Sequence, residues 1–185
     1  MKNSYASLGR EYHFKQFVSK IGWANIYATY DDHDYGINDG DKTYSLRNLS
    51  QQLFLDFFKV PKDSERRSRS GVYSSHSYEI KSRAKLIVKV ILLDTRYNKD
   101  PYNFFKGEGD FLGMEQWAWL ENELGDPIAD IILLGSSIQV LADDKFLEET
   151  WSRFPAARKR LLSLVINKSR YELISHSSRR TSNIN

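Results

Sequence analysis

The chain has no cysteine in 185 residues. That absence removes disulfides, thiolate metal sites and cysteine nucleophiles together, and it fixes no compartment. Long apolar runs are missing too. The longest, KLIVKVILLD at 85–94, is interrupted by Lys89 and falls far short of the ~20 residues that a membrane-spanning helix needs. The residues after Met1 read KNSYASLGREYHF, without the apolar stretch of a secretory signal. Nor is there a large excess of charge: 27 basic and 24 acidic residues leave a net +3, mixed along the chain. Such a balance gives no argument for a nucleic-acid partner, which usually shows as a basic stripe with interleaved aromatics. The densest basic run, KDSERRSRS (62–70), follows Pro61 and reads as a solvated polar loop.

What is present suits a globular α/β domain. The hydrophobic fraction of 41% and aromatic fraction of 14% support a real core, and a domain of this length buries roughly 70% of its unfolded surface. Apolar positions at Leu8, Tyr12, Phe17, Val18 and Ile21 predict a helix over 5–21, and WANIYAT (23–29) reads as a strand. Leu46, Leu49, Leu53, Phe54, Phe57 and Phe58 predict an amphipathic helix stopped by Pro61. GVYSSHSYEI (71–80) and KLIVKVILLD (85–94) read as neighbouring strands. The second is apolar on both faces, so it should be central and covered on both sides. A loop at 96–111 leads to a helix over 114–124. Strands at 129–135 and 137–141, a helix at 155–167 opened by Pro155, and a short strand at 171–175 complete the order. The polar end, HSSRRTSNIN (176–185), should be disordered.

One stretch asks for chemistry. TYDDHDYGINDGD (29–41) holds five aspartates, one histidine and two glycines directly after WANIYA. Ligands in α/β sheets bind beyond the carboxyl ends of strands, and confined carboxylates favour a hard cation. An EF-hand is excluded, because starting at Asp31 or Asp34 puts Lys42 or Ser45 where its glutamate must stand. His33 lies among carboxylates that favour its charged form, so it can serve as a proton donor. A metal or catalytic loop and a solvated acidic turn both stay open on the residues alone. Elsewhere, GSS (135–137) is not a serine-nucleophile elbow, and GEGDFLG (107–113) lacks the strand and helix of a dinucleotide fingerprint. His13 and His76 have no partners at ligand spacing.

YATYDDHDYGINDGD, VKVILLDTRYN, GDFLGMEQWAWLENEL and ADIILLGSSIQVL, taken in order, resemble the PhoD-like alkaline phosphatase family of calcineurin-like metallophosphatases. The similarity runs from about Leu8 to Ser175. It implies a sandwich of two mixed sheets flanked by helices, and hydrolysis of phosphate monoesters or diesters by a metal-activated water. The cofactors implied are divalent or trivalent metal ions in an iron- or calcium-type cluster. Thr29 to Asp34 match the family's Trp/Thr-Asp-Asp-His-Asp/Glu block, with Tyr30 where tryptophan is usual. By that match Asp32 stands at a metal-ligand position, and His33 where a histidine contacts the phosphate and protonates the leaving oxygen. Asn38 is the implied phosphate contact, and Arg96 in LDTR would neutralise charge on the phosphoryl group, its bland alternative being a pair with Asp94. The resemblance places residues 1–175 in the middle of such a domain, incomplete at both ligand-bearing ends; His176 falls where the family has glycine and is not a ligand. The alternative reading is a non-catalytic remnant that binds phosphate or a protein.

Overall fold

The computed structural model describes residues 2–81, 85–103, 106–142 and 148–168. The strand expected at 171–175 and the tail at 176–185 lie outside them. The architecture is mixed α/β, a small sheet flanked by helices. Among the described residues there is one sheet of three strands, of the two that the family resemblance implies. No helix among them is long and apolar enough to cross a membrane.

The chain opens with helices α1 (Lys2–Arg10) and α2 (Tyr12–Ile21) in place of one continuous helix. Glu11 makes the break: its backbone is extended, and its carboxylate accepts from the Phe14 N–H at 2.7 Å to cap α2. WANIYAT does not become a strand. Trp23–Asn25 form a 3₁₀ turn, and the extended residues after it are held by side chains, with Thr29 Oγ1 donating to the Leu93 carbonyl at 2.6 Å. A single helical turn, α3 (Asp32–Tyr35), follows, then α4 (Arg47–Phe57). Before Pro61 can act, α4 ends at Phe58, and Lys59 turns the chain away with φ 57°.

Strands β1 (Ser74–Lys81) and β2 (Lys85–Leu92) pair antiparallel, and β3 (Ile131–Gly135) joins β2 in parallel after a crossover through α5 (Gly113–Leu124). Strand β2 is central, as its apolar run predicts. Cover is one-sided, however. Ile91 and Lys89 belong to the face packed under α5, whereas Tyr78, Ile131 and Leu133, which share a face with Val88 and Val90 by register, are exposed among the described residues. Residues 137–141 make only an isolated bridge, Gln139 to Thr150. There Ser136 Oγ takes the Ile138 carbonyl, and the Arg158 guanidinium takes those of Val140 and Leu141, so backbone acceptors go to side chains instead of a ladder.

Two apolar cores result. The larger joins Ile91 and Leu93 to Trp117 and Leu120 of α5, to Trp151 and Phe154, and to Leu161 of α6 (Pro155–Lys168). The smaller gathers Tyr30, Tyr35, Phe54, Leu55 and Val72 beneath α3 and α4. The basic run 62–70 is solvated only in part: Lys62, Asp63, Glu65 and Ser68 are exposed, but its three arginines are not. Arg66 and Arg69 reach the carbonyls of Val72 and Tyr73, and Arg67 those of Val60 and Pro61. Arg69 also lies over the Tyr73 ring, 3.8 Å from its centre. Burial, and then the neighbouring Arg69 charge, bring the Arg66 guanidinium down to about 10.

Candidate functional site

The acidic loop is built on a buried carboxylate that the residue pattern does not single out. Asp94, fully buried at the end of β2, accepts four hydrogen bonds. Its Oδ2 takes the Tyr30 hydroxyl at 2.7 Å and the Val72 N–H at 2.8 Å; its Oδ1 takes the Arg96 and Tyr97 N–H groups at 2.9 Å each. Gln116 of α5 closes the arrangement by bonding both the N–H and the carbonyl of Asp94. Burial, and then the Asp94 charge, raise the Tyr30 hydroxyl well above its ordinary value, so it stays a donor.

From Tyr30 the chain turns through α3, and Asp32 fastens the loop to itself. One oxygen accepts the His33 N–H at 2.6 Å and the other the Asp39 N–H at 3.1 Å. Burial opposes ionisation of Asp32, but the N–H groups of Asp39 and His33, and then the Arg96 and His33 charges, outweigh it and hold the carboxyl below its usual range. Gly36 ends the turn with φ 128°, and Gly40 is required by close approach: a Cβ there would lie 2.7 Å from the Tyr35 ring and 2.9 Å from the Ile37 carbonyl. His33 is exposed, and its Nε2 lies 3.2 Å from Asn38 Oδ1.

Asp32, His33 and Asn38 are therefore brought together. Arg96 is not presented beside them. Its side chain is 2% exposed, and its guanidinium pairs with Asp31 and with Glu149, the latter at 2.5 Å. Only its backbone N–H reaches Asp94, so the expected alternative partner holds the main chain and not the charge. Burial opposes the Arg96 charge, yet Glu149 and Asp31 outweigh it and raise the group.

Glu149, Lys99 and Arg153 complete this ion network and escape a reading of the residues alone. Lys99 Nζ meets Glu149 at 2.6 Å and the Asp39 carbonyl at 2.7 Å. Arg153 meets Asp39 at 3.3 Å and Glu149 at 3.5 Å. The signal available was a lysine in a Pro- and Gly-rich loop and a glutamate far along the chain, neither with any period.

The donor set does not fit a metal centre by itself. Among the described residues no group of three or more His, Asp or Glu side chains could hold a metal ion. Both Asp32 oxygens already accept N–H groups, while Asp31 and Asp39 are paired with arginines. An open groove of about 380 Å³, lined by Tyr5, Trp23, Leu53, Phe57 and Lys59, takes no residue from the acidic loop.

The fold and loop thus define a mixed α/β domain with a histidine-bearing acidic loop beside the end of its central strand. A solved structure titled "Structure of PhoD" shares this fold, with a TM-score of 0.56 and 19% identity over 76% of this chain. The likeness takes in 31% of the PhoD chain, so this chain spans about a third of it. No family model and no curated protein matches.

Proposed function

We propose that the chain carries the phosphate-facing loop of a PhoD-like phosphate-ester hydrolase of the metallophosphatase superfamily. The observation that carries this reading is the meeting of Asp32, His33 and Asn38 on one self-fastened loop within a fold like that of PhoD. In its imidazolium form His33 would give a ring proton to the leaving ester oxygen, becoming the neutral imidazole that stays bonded to Asn38 through Nε2. Asn38 orients the imidazole through Oδ1, leaving its amide N–H groups for a phosphoryl oxygen. Arg96 acts at one remove, by holding Asp31. A divalent or trivalent metal cluster of the iron or calcium type would supply the activated water, and Asp32 is the side chain of this loop that would help to hold it.

That no three-ligand group lies among the described residues favours one second reading: a chain that binds phosphate or a protein without turnover. Hydrolysis of p-nitrophenyl phosphate and its diester, with iron or calcium and with a chelator, separates the two. Chelator-sensitive turnover that falls at least ~100-fold in His33→Ala supports the hydrolase. Absence of turnover, with inorganic phosphate shifting the His33 and Asn38 NMR signals, supports the binding chain. Neither response sinks both.

A further inference from the structure

Asp39 is the unusual residue of the loop. It is not glycine, yet its φ is 52°, in the left-handed region that side chains disfavour. It follows Asn38 directly, so the bond from its N–H to Asp32 holds the peptide that joins Asn38 to it. Three fasteners hold it. Its N–H donates to Asp32 at 3.1 Å, its carbonyl accepts from Lys99 Nζ at 2.7 Å, and its carboxylate meets Arg153 at 3.3 Å. The two cationic fasteners share one anchor. Glu149 Oε1 lies 2.6 Å from Lys99 and 3.5 Å from Arg153, and the Glu149 side chain is only 6% exposed. Arg153 is also positioned independently of the loop. Its N–H bonds the Thr150 carbonyl at 3.1 Å, and its guanidinium stands 5.0 Å from the centre of the Tyr102 ring. It is therefore a fixed post against which Asp39 is held.

We propose that Glu149 and Arg153 are positioning residues for the His33–Asn38 pair, acting through the left-handed backbone of Asp39. This rests on the reading of that pair as the phosphate-facing site. A clamp is needed because a left-handed aspartate relaxes when released, carrying Asn38 away from His33. The link joins residues 114 positions apart, tying the loop to the segment that opens α6.

A core ion network that merely stabilises the fold would loosen the whole domain when broken; a clamp loosens the loop first. Amide hydrogen exchange in the full chain separates these, with the Asp39 N–H as reporter and the amides of β2 as reference. Arg153→Met and Glu149→Gln should each speed exchange at Asp39 by at least roughly tenfold relative to β2, and Arg153→Lys should restore part of the protection. If exchange at Asp39 and β2 rises in step, or Asp39 does not respond, the clamp is refuted. Should Glu149→Gln fail to fold, Arg153→Met decides alone, since it removes an outer contact. Hydrolysis is measured on the same proteins. A loosened Asp39 in a chain that never turns over phosphate esters would keep the clamp and discard the functional reading.

Discussion

Replacing Asp94 with asparagine tests the foundation of the loop. The carboxylate is fully buried and divides four donors equally between its oxygens: Tyr30 and Val72 on one, Arg96 and Tyr97 on the other. An asparagine has one acceptor oxygen, and its NH₂ group must face two of those donors. Each donor stranded in a buried site costs about 1–3 kcal/mol, so two give about 2–6 kcal/mol, with ~4 the central expectation. That is a large share of the 5–15 kcal/mol by which domains are usually stable. Tyr30→Phe is the internal comparison, because it removes one donor and strands none; about 1 kcal/mol is expected. Both are read by urea unfolding followed through Trp117 and Trp151, which are buried and report on the larger core. With a slope of about 2 kcal/mol/M, Asp94→Asn should lower the midpoint by ~2 M. A cost for Asp94→Asn no greater than that for Tyr30→Phe would refute the role of this carboxylate as a buried acceptor of four donors.

Two further outcomes follow from other parts of the fold. Lys89, 7% exposed at its side chain, meets Glu123 at 2.5 Å and Asp126 at 2.8 Å. Lys89→Met should cost about 1–3 kcal/mol in the same unfolding measurement despite fitting an apolar strand, because two half-buried carboxylates lose their cation. His76 lies against Tyr27, and burial, then the Arg66 charge, bring its imidazole down from 6.5 to about 4. The unfolded chain therefore binds the proton first, so the stability tied to neutral His76 is complete above about pH 6.5 and lost as pH falls toward 4. His76→Gln should flatten that part of the stability–pH curve, and an unchanged slope would count against the burial.

Legibility in the sequence followed the strength of local patterns. The apolar run of β2, the helical spacing of α4 and α5 and the opening proline of α6 name their elements, because burial repeats along them with one period. WANIYAT and SIQVL carry the same apolar signal. In SIQVL the carbonyls of Ile138, Val140 and Leu141 are taken by Ser136 and Arg158, while WANIYAT is tied down by its own Thr29 hydroxyl on the Leu93 carbonyl, and no pattern announces which side chain will stand in for a ladder. The acidic loop was visible as a cluster, and the structure does bring Asp32, His33 and Asn38 together. The orientation of Arg96 was not visible. Its partner Glu149 lies 53 positions away, and a buried ion network leaves no trace of period or spacing. The same limit hid Lys99 and Arg153. Arginines at 66, 67 and 69 were misleading in the opposite sense, since charge density suggests water while a guanidinium can serve as a donor to inward carbonyls.

That basic stretch makes the folded and opened chains present different faces to whatever reads arginine. In the folded domain the three guanidiniums are spent on the carbonyls of Val60, Pro61, Val72 and Tyr73, and on an aromatic face. On opening, ERRSR becomes a string of free cations in an unhindered peptide, the form that trypsin-like proteases and polyanionic surfaces recognise. The segment that looks most adhesive and most cleavable on paper is thus silent in the native protein and becomes a tag of its loss.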